Sequence, residues 1–414
     1  MKRKFLLAVF MVSGLFLESV MAQETYNVLF IGNSYTGVNN LPKLVADIAA
    51  SKGDEIIYDT HTPGGNTFEQ HSANPTALAK IADGNWDYVV LQEQSQRPAF
   101  SPGQVSNDVY PYAKRLCDTI RFHNPCATPL FYMTWGRENG DASNCDNYPP
   151  ICTFEGMQER LTASYTEMAD NNDYAAVAPV GEAWKALRES NPEINLYSGD
   201  GSHPSIHGSY LAACVFYTSI TKESSIGALH PTNITDEEAS VIENIADNTV
   251  FNRFEEWNFP YITASIADNE VTYALETNGP TNIVEWSFVN NQSSIEVNPT
   301  IAFQDGVDNE ATVSYTYDNC DHKETNTVIT ISNLSITENN EVDLLQLAEK
   351  QYQINNPVAE NTQISVYSTN GQLVIEKRTK ATKIALDLSA LSSGSYIIRV
   401  LTNDTQASKK IMIY

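Results

Sequence analysis

A serine hydroxyl attacks a carbonyl at neutral pH only if a neighbouring base takes its proton and a third group holds that base in one orientation. The chain offers the first part in Ile31-Gly32-Asn33-Ser34-Tyr35-Thr36, where a glycine turn presents a hydroxyl directly after an apolar run. It offers the other two in Gly199-Asp200-Gly201-Ser202-His203-Pro204-Ser205-Ile206-His207-Gly208, which leads into an apolar stretch around Tyr210 to Ile220. In that pairing Ser34 is the nucleophile, His203 the general base, and Asp200 the carboxylate behind the imidazole. Separately each piece has a plain structural reading: a turn, a surface histidine, a helix cap. Together they point to acyl transfer.

Acyl transfer also needs donors for the oxyanion. Thr62-Pro63-Gly64-Gly65-Asn66-Thr67 supplies a loop whose backbone N–H groups can approach a substrate closely, although an ordinary Pro-Gly turn reads the same way. Leu91-Gln92-Glu93-Gln94-Ser95-Gln96-Arg97-Pro98 is a polar cluster whose amide side chains offer further donors. A rival reading makes Asp200, His203 and His207 metal ligands, since histidines four apart share a helix face. Pro204 counts against it by placing the helix start between the two histidines, and the expectation is no metal and no organic cofactor.

These segments need a scaffold that brings them to one place. From Tyr26 to about Trp257 short apolar runs alternate with helical patterns, the signature of a parallel sheet covered on both faces. The expected strands are Val28 to Ile31, Ile56 to Tyr58, Tyr88 to Leu91, Leu130 to Met133 and Ala176 to Val180. Leu41, Leu44, Val45 and Ile48 mark one helix face, and Val109, Ala113, Leu116 and Ile120 another. The polar loops follow the first three strands, and the Asp/His segment follows the last. In an open parallel sheet ligands gather beyond the carboxyl ends of the strands, so all four segments fall at the same rim. The expectation is a three-layer α/β domain over 25–257.

After Pro260 the helical period fades. Alternation in Val284-Glu285-Trp286-Ser287-Phe288, Val313 to Tyr317 and Val328 to Ile331 predicts a small β-sandwich over 260–335, with Trp286 in its core. A third, all-β unit is expected over 340–414, with strands at Ile364 to Tyr367, Leu373 to Glu376, Ile384 to Leu388 and Tyr396 to Leu401 around Asn370-Gly371 and Ser393-Gly394 turns.

At the other end, Lys2, Arg3 and Lys4 precede the apolar run Phe5 to Phe16, and small residues close at Val20-Met21-Ala22, which reads as a secretory signal peptide over 1–22. No later stretch approaches the roughly 18 apolar residues of a membrane span. Export favours disulfides, and spacing predicts Cys117–Cys126 and Cys145–Cys152, with Cys214 a buried thiol and Cys320 without a neighbour in its segment. With 25 Lys+Arg against 51 Asp+Glu the net charge is −26, which argues against nucleic acid as a partner.

The ordered set of segments over about 25–255 resembles the SGNH (GDSL-like) hydrolases, a superfamily of serine esterases and lipases with a flavodoxin-like fold. The resemblance implies Ser34 in Gly32-Asn33-Ser34 as nucleophile, Gly65 as an oxyanion donor, and Asp200 and His203 in the terminal Asp-x-x-His block. Asn33 stands where the family frequently has Asp. The third block departs: Gln94-Ser95-Gln96 stands where the family usually has Gly-x-Asn, and since glutamine is one methylene longer, either a Gln94 or Gln96 amide reaches the oxyanion differently or the hole loses a donor. The tail, through Ile354-Asn355-Asn356-Pro357, Ile364 to Val374, Leu386 to Tyr396 and Lys409-Lys410, resembles the C-terminal sorting domain of the type IX secretion system, with that machinery as the implied partner. A carbohydrate-binding or spacer β module is the alternative for the tail.

The resulting expectation is a secreted or cell-surface serine esterase that hydrolyses O-acyl, chiefly O-acetyl, esters of a small molecule or polysaccharide. The competing expectation is a glycan-binding or adhesive surface protein on an inactive hydrolase scaffold.

Overall fold

The computed structural model describes residues 24–267, Tyr174 and Asn252 apart, and beyond them the strands of 270–413 with part of their connections. The expected signal peptide lies outside the described residues, as do Val328, Asn356-Pro357, Asn370-Gly371 and Ser393.

Five strands, β1 (Thr25–Ile31), β2 (Glu55–His61), β3 (Tyr88–Leu91), β4 (Thr128–Tyr132) and β5 (Ala176–Ala178), pair in parallel in the order β2-β1-β3-β4-β5. This is the doubly wound order in which the chain reverses direction across β1 and β3. Ile31 pairs with both His61 and Leu91, so the first three strands end at one level and their loops open side by side at the reversal. The strands are nearly continuous apolar runs because both faces are covered: Val28 to Ile31, Val89 to Leu91 and Leu130 to Tyr132 are all fully buried.

The covering helices are α1 (Ser34–Gly37), α2 (Leu41–Lys52), α3 (Phe68–His71), α4 (Pro75–Ala82), α5 (Pro102–Asp108), α6 (Tyr110–His123), α7 (Phe154–Asp170), α8 (Val180–Ser190), α9 (Ile206–Thr221) and α10 (Asp236–Phe251). Right-handed crossovers in this strand order put α2 on one face and α4, α6 and α7 on the other. In keeping with that, α2 packs on α9 and α9 on α10, while α4 packs on α6 and α6 on α7. Local sequence sets the ends: Pro42 lies in the first turn of α2, and Gly53 closes it in the left-handed region. The helix α9, buried along its whole length from Gly208 to Thr221, carries apolar or small residues on every side. The sequence pattern overruns at β5, which stops before Pro179; that proline has no N–H for the ladder, and Val180 opens α8 instead.

By contact the chain separates into two compact units. The first runs to Tyr261 and takes in Leu275–Val284 and Tyr315–Glu324; the second holds Ile262–Ala274, Glu285–Ser314 and Thr325–Tyr414. The second unit contains a three-stranded antiparallel sheet (Asp343–Ala348, Gln351–Asn355, Lys383–Asp387) and a four-stranded one ordered Leu373–Thr379, Thr362–Ser368, Gly394–Leu401, Gln406–Ile413. Tyr352, Ile354, Ile364, Val366, Ile384 and Ile398 share one core between them. Trp286 is fully buried against Tyr273 and Phe288, as core.

The cysteines correct one expectation. Cys145 is bonded to Cys152, but Cys126 is bonded to Cys320, 194 positions away and within the first unit. Cys117 does not pair with Cys126; it is a free, buried thiol. The reason is the helix phase: Cys117 shares the inward face of α6 with Ala113, Leu116 and Ile120, whereas Cys126 lies in the turn beyond the helix end. Burial pushes the Cys117 thiol up to about 12. No helix among the described residues is long and apolar enough to cross a membrane.

Candidate active site

The turn after β1 is built around Gly32. A Cβ there would fall 2.5 Å from Thr36 Oγ1 and 2.8 Å from Gln92 Oε1, so only glycine lets the chain pass. Asn33 then caps α1, its Oδ1 accepting from Tyr35 N–H at 3.1 Å, and Ser34 begins the helix. The Asn33 amide nitrogen donates to the Asn66 carbonyl at 3.0 Å, tying the serine turn to the loop that carries Gly65. An aspartate at this position has no hydrogen to give, which is the physical content of Asn33 standing where the resembled family often has Asp.

On the other side of the rim, a short loop delivers the histidine. Tyr197 and Pro204 form an isolated antiparallel bridge, Ser198 N–H donates to the His203 carbonyl at 2.8 Å, and Ser205 caps α9 by accepting from Gly208 N–H. Ser34 Oγ lies 2.9 Å from His203 Nε2, and His203 Nδ1 lies 2.6 Å from Asp200 Oδ2. The other carboxylate oxygen, Asp200 Oδ1, accepts from the Ser198 hydroxyl at 2.8 Å and from the Ser202 and His203 N–H groups, each at 2.9 Å. Burial raises the Asp200 pKa, but the His203 side chain, the two backbone donors and the Ser198 hydroxyl outweigh it, and the net shift is downward. The carboxylate is therefore ionised at neutral and mildly acidic pH. A carboxylate on Nδ1 fixes the imidazole with Nε2 bare toward the serine, the tautomer that accepts a proton. The side chains of His203 and Asp200 are 35% and 50% exposed, leaving the relay open to solvent and substrate.

Two backbone donors, one in the serine turn and one in the loop tied to it by Asn33, have no partner. Among the described residues neither the Ser34 nor the Gly65 N–H has a protein acceptor. Gly65 sits at φ +70° with open space around its α-carbon. Gln94 and Gln96 bond to each other: Gln96 N–H donates to Gln94 Oε1 at 2.9 Å and Gln94 Nε2 to Gln96 Oε1 at 3.2 Å. Gln96 Nε2 also donates to Asp141 Oδ2 at 2.7 Å, so each amide keeps one N–H unspent. His207 leaves this cluster: its ring faces Glu238 at 3.5 Å from the second turn-position of α9. No group of three metal-ligating side chains occurs among the described residues.

Several further residues surround the relay. Gln92, in the polar cluster expected to offer amide donors, is fully buried; its Oε1 accepts from Asn33 N–H at 2.9 Å and from the Thr36 hydroxyl at 3.0 Å, and its amide donates to the Glu93 carbonyl. Glu93 is buried too, accepting from Gln94 N–H at 2.6 Å and from Phe68 N–H at 3.1 Å at the start of α3. Burial pushes its carboxyl up to about 7 against those two bonds. Tyr35 stacks on Trp135, which stacks on Trp184, and the Tyr35 hydroxyl meets the Ser202 hydroxyl at 2.6 Å, beside the histidine. Asp141, fully buried, gathers Gln96, Asn144 and Arg137 next to the Cys145–Cys152 bridge. A usable signal existed for Gln92 and Glu93 alone, since they directly extend the buried run of β3.

Comparison with known proteins adds the following. Residues 348–414 match the family described as the secretion system C-terminal sorting domain. A search of curated proteins finds no match. Among solved structures the chain is similar to a DUF4886 family protein from Bacteroides uniformis (19% identity over 55% of this chain and 95% of that one, TM-score 0.47). It is similar also to TesA (16% identity, 47% and 98%, TM-score 0.35) and to the acetyl xylan esterase AlAXEase (17% identity, 47% and 98%, TM-score 0.35). A tail of the sorting family marks the chain for secretion or the cell surface through the type IX machinery.

Proposed function

We propose that the chain is a secreted serine esterase that removes O-acyl groups, with O-acetyl esters of carbohydrates as its substrate class. The observation that carries this reading is the unbroken relay of 2.9 Å from Ser34 Oγ to His203 Nε2 and 2.6 Å from His203 Nδ1 to Asp200. Ser34 Oγ attacks the ester carbonyl carbon while its proton passes to His203 Nε2, and the imidazolium is stabilised by the Asp200 carboxylate. The oxyanion is taken by the Ser34 and Gly65 N–H groups, with Gln94 or Gln96 contributing an unspent amide hydrogen. The tetrahedral species collapses as His203 returns the proton to the leaving alcohol, leaving an acyl-Ser34. Water then gives a proton to His203 Nε2 as its oxygen adds to the acyl carbon; the acyl–Oγ bond breaks as His203 passes that proton to Ser34 Oγ, and the acid departs. The sugar as acyl carrier rests on the esterase resemblance and on the sorting tail, which marks the chain for secretion or the cell surface.

The test is acetate release from a panel of acetylated polysaccharides, with 4-nitrophenyl acetate as the generic substrate, comparing the purified chain with Ser34→Ala. Release by the native chain and none by the variant is the expected result. Equal rates remove Ser34 as nucleophile. No turnover of any ester favours the glycan-binding reading on an inactive scaffold.

A further inference from the structure

At the serine turn two further histidines meet. His61 ends β2 and His71 ends α3; their rings are perpendicular with centroids 5.3 Å apart, and Nδ1 faces Nδ1 at 3.3 Å. His71 is fully buried, and its Nε2 lies 3.0 Å from the Gly32 carbonyl oxygen.

The hydrogens follow from this geometry. A carbonyl only accepts, so His71 Nε2 carries the proton, and a neutral His71 then has a bare Nδ1. For the 3.3 Å contact to be a hydrogen bond, His61 Nδ1 must donate. Burial first, and His61 second, push the His71 pKa down to about 4 against the Gly32 bond, which keeps the ring neutral and its Nδ1 an acceptor at neutral pH.

What the relay holds is one peptide plane. The Gly32 carbonyl belongs to the same peptide unit as the Asn33 N–H, and that N–H donates to Gln92 Oε1 at 2.9 Å. The Gly32–Asn33 plane is thus gripped at its oxygen by His71 and at its hydrogen by Gln92, and Gly32 N–H donates in turn to the His61 carbonyl at 3.1 Å. The next peptide unit in the chain carries the Ser34 N–H. We propose that His61 and His71 form a positioning relay that fixes the Gly32–Asn33 peptide and thereby aims the Ser34 N–H and hydroxyl at the reacting carbonyl.

Among the described residues neither ring is hydrogen-bonded to Ser34, whose hydroxyl pairs with His203, so both are positioning residues, and the inference rests on the esterase reading above. Its signature is in turnover more than in substrate binding, because an oxyanion donor is used fully only in the transition state.

The decisive variants are His71→Gln, whose amide nitrogen reaches the Nε2 position, and His71→Phe, which fills the space without a donor. With 4-nitrophenyl acetate, His71→Phe is expected to lower kcat about tenfold with KM nearly unchanged, and His71→Gln to stay within about threefold of the native chain. Native kcat in His71→Phe, or an equal loss in the glutamine variant, overturns the proposal. If His71→Phe fails to fold by circular dichroism, His61→Phe, which removes only the donor to His71 Nδ1, is expected to lower kcat severalfold; an unchanged kcat there also overturns it.

A second readout separates this failure from that of the esterase reading. In the full chain with labelled histidine, two-bond 1H–15N correlations at neutral pH should show His71 as the Nε2–H tautomer and His61 as the Nδ1–H tautomer. The opposite tautomer on either ring overturns the relay whether or not any ester is hydrolysed.

Discussion

At the scale of single residues, the account makes Asp200 the group that sets the His203 tautomer. Replacing it by Asn offers the imidazole an amide hydrogen where it needs an acceptor, and Asp200→Asn should lower kcat by about a thousandfold or more with 4-nitrophenyl acetate as substrate. A loss under tenfold would mean that the 2.6 Å contact is incidental. Asn33 makes a second case. Asn33→Asp leaves the cap on Tyr35 N–H but turns a carboxylate oxygen toward the Asn66 carbonyl, in a site where residue 33 is only 3% exposed. The variant should be destabilised by about 1–3 kcal/mol in a denaturant titration, with reduced turnover, and an unaltered midpoint would contradict the role given to the Asn33 amide.

At the scale of elements, two buried groups oppose each other in pH. His71 has its folded pKa pushed down to about 4 from an ordinary 6.5, so the unfolded chain binds more protons between those values. Its contribution is complete above about pH 6.5 and is lost as the pH falls toward 4. Glu93 has its folded pKa pushed up to about 7 from 4.5, so its contribution is complete below about pH 4.5 and is lost as the pH rises toward 7. Each spans about 3 kcal/mol, and the two largely cancel across the shared window. Glu93→Gln removes one limb, so the unfolding midpoint of that variant should rise relative to that of the native chain from pH 4.5 to 6.5; parallel profiles would refute the assignment. The strands, the glycine turn and the Asp/His loop were legible in the sequence because they follow from local apolar runs and turn chemistry. The helix α8 was hidden at Pro179-Val180, where the apolar run of β5 passes without a break into the helix. His71 was hidden because α3 is only one turn long and its partner, the Gly32 carbonyl, lies 39 positions earlier.

At the scale of the whole molecule, long-range contacts were the least legible of all. The Cys126–Cys320 bond closes a loop of 194 positions that no spacing rule reaches, and the nearer Cys117 was the natural but mistaken partner. Peptide mapping without reduction should link Cys126 to Cys320 and recover Cys117 as a free thiol. A Cys117–Cys126 peptide would contradict the fold. Removing that bridge by Cys126→Ser with Cys320→Ser should lower stability by up to about 5 kcal/mol, because the unfolded chain regains the entropy that closing so long a loop removes. The sorting tail at 348–414 is a separate matter: deleting it should abolish export while the residues proposed for hydrolysis, all between Gly32 and His203, stay in place. Those residues are the central claim, since Ser34 and His203 are 169 positions apart and meet only in the folded chain. The most direct measurement is mass-spectrometric mapping after exposure to a 4-nitrophenyl phosphonate ester, which captures a hydroxyl whose proton has a base to go to. The account predicts a single adduct on Ser34 in the native chain and its disappearance in His203→Ala; an adduct elsewhere, or equal labelling without the histidine, would contradict it.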